Sequence, residues 1–325
     1  MKIKLRHNTF MRLIVGSFLL IGFPGMCFLL VWLIWGVGIA MMSVLFLLLL
    51  VVYGFIFGWR RIVVRRAECF SPLLPKAFDG YRVLQLSDIH IGTFLQNQKF
   101  IHRLVDCVNA QKPDIIVFTG DLVNVSANEV IPFMKTLNKM HAADGIFSVM
   151  GNHDYCEYGE DKSVGNIIRN QNILQYMEEK IGWKLLNNQN VTISRGEGQR
   201  KSAIYLIGVE NISRPPFPNY GDLKRAMEGL EKGTFKILLS HDPSHWRRGV
   251  LHQTDIALTL SGHTHAGQVK IGKFSPAKWA YNEWGGKYTE GGSMLYVSLG
   301  IGGTVPFRFG AWPEINVITL RRKES

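Results

Sequence analysis

The chain has 325 residues, of which 47% are hydrophobic and 19% are charged, and its formal net charge at pH 7 is +12. This length allows one large domain or two smaller ones, and it excludes a small scaffold held together by disulfides. No Asp, Glu, Lys or Arg occurs at positions 13–59. An uncharged run of that length excludes a protein that is soluble along its whole chain.

The uncharged run predicts a hairpin of two membrane-spanning helices. One span takes about 20 apolar residues, so the run is too long for one and suits two. The expected turn is 35–38 (WGVG), because paired glycines weaken a helix and a second apolar run follows at 39–57. Pro24-Gly25 is the competing turn. A cleaved signal peptide is the other alternative, but its apolar core is only about 7 to 15 residues long. We predict a membrane anchor at 1–59.

Basic residues flank the hairpin on both sides. They are Lys2, Lys4, Arg6 and Arg12 before it, and Arg60, Arg61, Arg65 and Arg66 after it. The positive-inside rule places both flanks in the cytoplasm, which predicts a multi-pass cell-membrane protein whose folded domain faces the cytoplasm. Basic flanks at a membrane contact anionic head groups, so membrane lipids are the expected partner. The remaining chain shows no long basic run, and we expect no specific nucleic-acid partner.

The four cysteines are far apart and form no CxxC pair. They suit a reducing compartment and indicate neither a disulfide framework nor a cysteine zinc site.

Beyond the hairpin, we predict a basic juxtamembrane linker at 60–80, in which prolines interrupt any helix, and a folded domain at 81–325. Strands are predicted at 82–86, 114–119, 145–150, 202–209, 234–239, 255–260, 294–298 and 315–320, and helices at 97–111, 128–140, 165–180 and 222–231. This alternation predicts an α/β fold, with two sheets packed face to face as a β-sandwich and helices outside.

Short polar clusters directly follow five of these strands. They are 86–90 (LSDIH), 119–122 (TGDL), 150–154 (MGNHD), 239–242 (LSHD) and 260–265 (LSGHTH). Ligand sites in α/β sheets lie beyond the carboxyl ends of the strands, so the clusters are expected to meet. They offer oxygen and imidazole donors without sulfur, which suits Mn, Fe, Zn or Mg.

Each cluster alone is also typical of ordinary turns. Gly120-Asp121 and Gly151-Asn152 are common turn pairs, and Pro243 after His241-Asp242 is typical of a helix start. Only His263 and His265 stand out alone, because alternate strand-like positions place both imidazoles on one side. The occurrence of all five clusters in this order favours a shared site.

The order D-x-H, G-D, G-N-H-D, H and G-H-x-H resembles the calcineurin-like metallophosphoesterase family over nearly all of 81–320. The blocks 262–268 (GHTHAGQ), 295–298 (LYVS) and 313–315 (PEI) resemble its membrane-associated phosphohydrolase branch. The resemblance implies that family's four-layer fold. Two positions depart from the pattern: Asn124, where many members carry Asp, and Ala266, where the branch often carries Gly.

The resemblance also implies a site for two divalent metal ions. Asp88, His90 and His265 would hold one ion, Asn152, His241 and His263 the other, and Asp121 would bridge both. Two cations about 3.5 to 4 Å apart need a shared anionic ligand. They polarise phosphoryl oxygens and make a hydroxide available near neutral pH, which predicts a metal-dependent phosphoester hydrolase.

His153 is a candidate catalytic residue. The resemblance implies that it lies over the phosphate without binding metal and acts as a general acid, with Asp154 fixing its orientation. The alternative is a purely structural histidine.

The substrate is less constrained by the sequence. The resemblance favours a phosphodiester or a pyrophosphate, and the hairpin favours a lipid-linked one: a phospholipid, an isoprenoid phosphate or a nucleotide-activated lipid precursor. The aromatic segment 274–284 is either an amphipathic lid or local packing, and the loop 215–218 (PPFP) frames the pocket or is structural. Arg214 and Arg308 are candidate phosphate clamps. The alternatives are a nuclease or soluble-nucleotide phosphodiesterase on the same scaffold, and a non-catalytic membrane-tethered regulatory protein.

Overall fold

The computed structural model describes residues 13–159, 161–196 and 202–323. The chain begins with two apolar helices, α1 (Leu13–Trp35) and α2 (Val37–Ile56). They are separated at Gly36, whose φ of 82° breaks the helix. The break therefore lies at the predicted turn, whereas Pro24-Gly25 lies inside α1. The basic residues at positions 2, 4, 6 and 12 lie outside the described residues.

The folded domain is built on two six-stranded mixed sheets. The first has the order β1-β12-β2-β3-β4-β5 and the second the order β10-β11-β9-β8-β7-β6. The first sheet contains β1 (Val63–Ser71), β2 (Arg82–Leu86), β3 (Ile115–Phe118), β4 (Ile146–Ser148), β5 (Trp183–Leu185) and β12 (Glu314–Arg322). The second contains β6 (Gln189–Arg195), β7 (Ser202–Gly208), β8 (Lys236–Leu239), β9 (Leu258–Ser261), β10 (Gly286–Glu290) and β11 (Ser293–Val297).

Three buried apolar layers hold the sheets and helices together. The middle layer joins the two sheets and includes Val83, Val117, Leu206 and Leu260. An outer layer packs the first sheet against α3 (Gln98–Asn109) and α5 (Val164–Lys180). Another covers the second sheet around Trp246. The central strands are apolar on both faces because both faces are covered. The predicted two-sheet sandwich with outer helices is confirmed.

The segment 60–80, which we expected to be a linker, contains the edge strand β1. All nine residues of β1 pair in parallel with β12. Just before it, Trp59 is 8% exposed and stacks on Phe94 and Phe100 at ring distances of 5.5 and 6.3 Å. The domain therefore starts before Tyr81. The charged, partly exposed sequence of β1 suits an edge strand and resembles a basic linker in composition.

Two predicted helices are shorter than expected. In 128–140, a 3₁₀ helix at Ala127–Phe133 contains Pro132 and leads into the one-turn helix α4 (Met134–Leu137). In 222–231, only α6 (Leu223–Ala226) forms. Pro132 accounts for the first difference, because proline has no N–H to donate and disfavours continuous α-helix.

The end of α2 packs directly against the domain. Val51 forms a buried apolar cluster with Val305 and Phe307. A Cβ at Gly54 would overlap the ring of Phe307, and one at Gly58 would overlap the backbone carbonyl oxygen of Arg308. Glycine is therefore required where this segment of the domain approaches the hairpin.

Candidate active site

The five polar clusters follow strands that end at one rim of the two sheets. β2 leads to Asp88 and His90, β3 to Asp121, β4 to Asn152 and His153, β8 to His241, and β9 to His263 and His265. Clusters from the two sheets contact each other directly. The backbone nitrogen of His263, after β9, lies 3.1 Å from both carboxylate oxygens of Asp88, after β2. The prediction that these clusters meet is confirmed by this geometry.

Five of the predicted metal ligands have left-handed backbone conformations. Their φ angles lie between 45° and 72° at Asp88, His90, Asp121, His263 and His265. Such φ values are uncommon outside glycine and cost about 1 to 3 kcal/mol each. Strain of this kind persists where the surroundings fix the chain, which is typical of functional sites.

Asp121 lies between two groups of ligands. Its Oδ2 is 3.5 Å from His90 Nε2 and 3.3 Å from His241 Nε2. Its Oδ1 accepts a hydrogen bond from the His153 N–H at 2.8 Å, which fixes the carboxylate. One oxygen therefore faces both groups, as a bridging ligand must.

The first group comprises Asp88, His90 and His265. The Nε2 atoms of the two imidazoles are 3.2 Å apart, and His265 Nε2 is 3.4 Å from Asp88 Oδ1. On the far side of the ring, His265 Nδ1 is 3.3 Å from a guanidinium nitrogen of Arg308. His265 therefore points Nε2 into the site.

The second group comprises Asn152, His241 and His263. Asn152 Oδ1 is 2.8 Å from His263 Nδ1 and 3.2 Å from His241 Nε2. The Asn152 amide nitrogen donates to the Tyr158 hydroxyl at 3.0 Å, so its oxygen is turned inward.

Hydrogen bonds also orient both imidazoles of this group. His241 Nδ1 is 2.7 Å from the Thr119 carbonyl oxygen, and His263 Nε2 is 2.7 Å from the Tyr281 hydroxyl. Partners of this kind fix the tautomer and ring orientation of metal-binding histidines.

Two motif glycines are required by close approach. A Cβ at Gly262 would overlap Ser87 Oγ and Asp88 Oδ2, and a Cβ at Gly151 would overlap Asp121 Oδ1. Each glycine, having no side chain, allows the backbone of one polar cluster to lie in contact with a predicted ligand of another cluster. The G-N-H-D and G-H-x-H spacing therefore has a packing reason as well as a chemical one.

Burial and charge set the protonation of the ligands. Burial lowers the pKa of His90 to about 3 and that of His263 to about 4, and it lowers the pKa of His265 well below its usual value. Burial opposes ionisation of Asp121, but the surrounding imidazoles, His241 first, outweigh it and hold its pKa well below the usual range. Near neutral pH, His90, His263 and His265 are thus neutral imidazoles beside the ionised carboxylate of Asp121.

His241 carries a proton in this arrangement. Burial lowers its pKa, but the charges of Asp121 and Asp88 outweigh burial and raise the pKa to about 10. Burial raises the pKa of Asp88 to about 6, and the charge of Asp121 adds to that rise. The two carboxylates therefore favour a proton on the buried His241 imidazole. A metal cation bound at this place can replace that proton.

The donor set fits two divalent cations. Atoms of Asp88, His90 and His265 lie within 4.8 Å of one another, and so do atoms of Asp121, His241 and His263. Each group combines imidazole nitrogen with carboxylate oxygen, and the buried His90 Nδ1 has no hydrogen-bond partner in the described part of the chain. The sets suit Mn, Fe, Zn or Mg, with Asn152 completing the second group.

His153 lies beside the ligands with one nitrogen turned away from them. Its Nδ1 is 2.7 Å from the Asn124 carbonyl oxygen, and its ring packs 4.7 Å from that of His90 and 4.5 Å from that of Tyr158. The Asn124 contact is through the backbone, so the departure from Asp at that position leaves it intact. A ring nitrogen of His153 also lies within 4.8 Å of possible ligand atoms of His90 and Asp121.

Asp154 does not orient His153 as expected. Its two oxygens accept hydrogen bonds from the backbone N–H groups of residues 121, 122, 123 and 151 at 2.7 to 3.2 Å. Burial raises the pKa of Asp154 to about 7, and the Gly151 and Val123 N–H groups oppose that rise. Asp154 therefore ties the β3 and β4 loops together, and the Asn124 carbonyl orients the imidazole.

The two candidate phosphate clamps have different surroundings. Arg308 is 1% exposed and donates to the carbonyl oxygens of Leu299, Gly302 and Ala311 as well as contacting His265. It is a positioning residue and not a phosphate clamp, because its donors are already engaged. Arg214 is exposed and lines a cavity of about 300 Å³ beside Phe217 and Tyr281.

Five of the seven predicted ligands line a second, open cavity of about 380 Å³: His90, Asp121, Asn152, His263 and His265. Phe217, from the PPFP loop, and Tyr281, from the aromatic segment, form part of its wall. Gly267, Gln268, Pro276, Ala277, Gly303 and Thr304 form another part. The role of Tyr158 and Tyr281 in holding ligands has no sequence signal, because each lies outside the ligand motifs.

The chain is similar to several known proteins. A family model described as calcineurin-like phosphoesterase matches residues 81–267. An uncharacterized metallophosphoesterase of Bacillus subtilis, YkuE, is 32% identical over 272 residues, which cover 77% of this chain and 82% of that protein. A transmembrane protein with metallophosphoesterase domain from Danio rerio is 28% identical and is matched over 84% of this chain and 60% of its own length. A solved dimetal phosphatase from Danio rerio aligns with a TM-score of 0.44 at 12% identity, over 71% of this chain and 94% of that one.

Proposed function

This chain belongs to the calcineurin-like phosphoesterase family and is a metallophosphoesterase, and we propose that it hydrolyses a lipid-linked phosphodiester or pyrophosphate at the cytoplasmic surface of a cell membrane. The observation that carries this proposal is that the same two segments line the active-site cavity and pack against α2. Gln268 and Gly303 line the cavity, while their neighbours Val269 and Val305 belong to the cluster around Val51. A substrate anchored in the bilayer would reach the site along these segments.

The chain's own residues have separable roles in hydrolysis. When bound, two divalent cations polarise phosphoryl oxygens and lower the pKa of water. Asp121 keeps both groups of ligands at a fixed separation, and Tyr281 and Tyr158 turn His263 and Asn152 inward. His153, with Nδ1 bonded to a carbonyl, presents Nε2 to the cavity, where it holds a proton for the leaving oxygen.

We propose that α1 and α2 span the membrane and that the domain is cytoplasmic. Each helix is long and apolar enough to cross a bilayer. Arg60, Arg61, Arg65 and Arg66 follow the second helix, which supports a cytoplasmic location for the domain. Fusing a reporter that is active only outside the cytoplasm after Lys323 tests this orientation. We expect no reporter activity. Strong activity would show that the domain lies outside the cytoplasm and would contradict the proposed orientation.

The substrate is tested with full-length protein in detergent, with and without Mn²⁺. The substrates are phospholipids, lipid-linked pyrophosphates and a soluble model diester, and Asp121→Ala is the inactive control. We expect a lipid substrate to turn over faster than the soluble diester. Turnover of the soluble diester alone would contradict the lipid-linked substrate and favour a cytoplasmic nucleotide. A steep fall in substrate affinity with salt, with nucleic acid as the substrate, would favour a nuclease.

A further inference from the structure

We propose that residues 270–279, called the interfacial loop below, insert into the same membrane surface that holds the hairpin and bind its lipids. The inference rests on the proposed membrane insertion of the hairpin, and it is independent of which phosphoester is cleaved.

The composition of the interfacial loop suits a membrane surface. Ile271, Phe274 and Trp279 are 60%, 46% and 81% exposed. The exposed fraction of Trp279 exceeds that of every other exposed large hydrophobic residue in the described part of the chain, those of the hairpin included. Exposed apolar residues concentrated on one loop indicate an interaction site, and Trp is enriched where membrane meets water.

The charge of the loop is complementary to anionic head groups. Lys270, Lys273 and Lys278 belong to it, and no Asp or Glu occurs at positions 256–282. Lysine can extend its ammonium group to head groups while its apolar stem stays near the acyl chains. Basic residues beside apolar ones are the combination that binds a lipid surface.

The depth of the loop follows from the hairpin. Counting about 1.5 Å per residue, Val51 lies about 21 Å and Phe55 about 27 Å along α2 from its start, inside a hydrocarbon layer of about 30 Å. Trp32 and Trp35, near the turn, are 49% and 61% exposed, as expected of side chains at the opposite membrane surface.

Val269 connects the interfacial loop to the part of α2 near Val51 and Phe55. It packs, together with Phe309, against the cluster of Val51, Val305 and Phe307. The interfacial loop begins at the next residue and is therefore held at the edge of the hydrocarbon layer.

The loop is also fixed to the active site. Ser275 Oγ donates to the carbonyl oxygen of Ala266, next to the ligand His265, and caps the 3₁₀ helix Pro276–Trp279. Pro276 and Ala277 line the active-site cavity while Trp279 points outward from the same helix. Insertion of the loop would therefore place the mouth of the cavity at the head-group level.

Site-specific photocrosslinking in full-length protein reconstituted into lipid vesicles tests this inference. A benzophenone amino acid replaces Trp279 in one variant and Phe274 in a second, so that the result does not depend on one substitution. Phe46 of α2, which is 61% exposed, is the positive control. Tyr176 of α5, 57% exposed and next to β5 at the opposite edge of the first sheet from β1, is the matched negative control.

We expect phospholipid adducts at positions 279 and 274 with a yield near that at position 46 and far above that at position 176. Adducts at 46 but none above the level of 176 at 279 and 274 would overturn the inference while leaving the hairpin and the proposed activity intact. Adducts to a second copy of the chain in place of lipid at 279 and 274 would also overturn it. A lack of lipid adducts at 46 and at the loop would overturn both the inference and the membrane insertion on which it rests.

Discussion

Neighbouring groups contact one ring nitrogen of most imidazoles of the site and orient them. Thr119, through its carbonyl, holds His241, and Tyr281 holds His263. The opposite nitrogen of each ring is thereby directed towards Asn152 and Asp121. Asp121 is central to the site, because one of its oxygens, Oδ2, faces both groups of ligands.

Replacing His153 separates proton transfer from metal binding. We expect His153→Ala to keep its metal content and to lose turnover by about 10²- to 10⁴-fold, the usual contribution of a general acid or base. Metal analysis and steady-state kinetics on the same preparation provide the readout. Asp121→Ala is the contrasting variant and should lose metal. Unchanged turnover in His153→Ala would remove His153 from the mechanism, and loss of metal in it would make His153 a ligand.

Glu178 predicts a dependence of stability on pH. It is buried on α5 beside the Ser148 hydroxyl, and burial raises its pKa from 4.5 to about 8. The folded state therefore binds the proton more tightly than the unfolded state does. The stabilisation by the neutral carboxyl is complete below pH 4.5 and is lost as the pH rises towards about 8.

Thermal unfolding of Glu178→Gln in detergent between these pH values checks this expectation. The variant should show a flatter fall in melting temperature with rising pH than the wild type. Glu179→Gln, at the exposed neighbouring position, is the matched control and should leave the slope unchanged. An identical slope in Glu178→Gln and wild type would contradict the buried neutral carboxyl.

At this scale the sequence predicted which side chains meet at the site better than it predicted the groups that surround them. The seven ligand positions lie in short motifs whose donor types are visible in the chain. Asp154 was assigned a wrong partner, because adjacency to His153 does not reveal that its oxygens face backbone N–H groups of another loop. Tyr158 and Arg308 contact the ligands only through tertiary packing.

Among the secondary-structure elements, the central strands were predictable and the sheet edges were not. β2, β3 and β8 are short apolar runs bounded by turn residues, a pattern that follows from burial on both faces. β1 and β6 are partly exposed edge strands with charged or polar residues, so they lack that pattern. β5 has only three residues and is too short for a periodic signal.

The junction of the hairpin and the domain predicts a steric test. A Cβ at Gly58 would overlap the Arg308 carbonyl oxygen, whereas one at Gly38 meets nothing within 4 Å. We expect Gly58→Ala to lower stability by about 1 to 3 kcal/mol through overpacking. Displacement of Arg308, which contacts His265, should also weaken metal binding by about 10- to 100-fold.

Gly38→Ala is the control for this test, since it adds the same methyl group in open space. Melting temperature and metal titration in detergent are the two measurements. Equal melting temperatures and equal metal affinities in Gly58→Ala and Gly38→Ala would contradict a rigid contact between the hairpin and the backbone at Arg308.

At the scale of the whole molecule, one continuous path of contacts joins the apolar hairpin to the candidate metal site. α2 packs on Phe307, Arg308 follows directly, and its guanidinium lies 3.3 Å from His265 Nδ1. The two-helix hairpin is thus part of the packing that positions His265. Composition predicted the hairpin and motif order predicted the site, but neither carries information on the contact between them.

The domain boundary has a consequence for truncated proteins. A fragment that begins at Tyr81 lacks β1 and Trp59, which leaves β12 as an unpaired edge and a gap beside Phe94 and Phe100. We expect this fragment to aggregate, while one that begins at Trp59 stays folded in detergent. Size-exclusion chromatography and circular dichroism compare the two. A monomeric Tyr81 fragment with an equal melting temperature would contradict the role of β1.

The central claim is that these seven ligands form a working two-metal phosphoesterase site. Its most direct test is the hydrolysis of bis-p-nitrophenyl phosphate by full-length protein in detergent, with Mn²⁺, after chelation and in Asp121→Ala. The account predicts turnover with Mn²⁺, its loss on chelation, its return when Mn²⁺ is restored, and little turnover in Asp121→Ala. Metal-loaded wild-type protein without turnover, or equal turnover in Asp121→Ala, would contradict it.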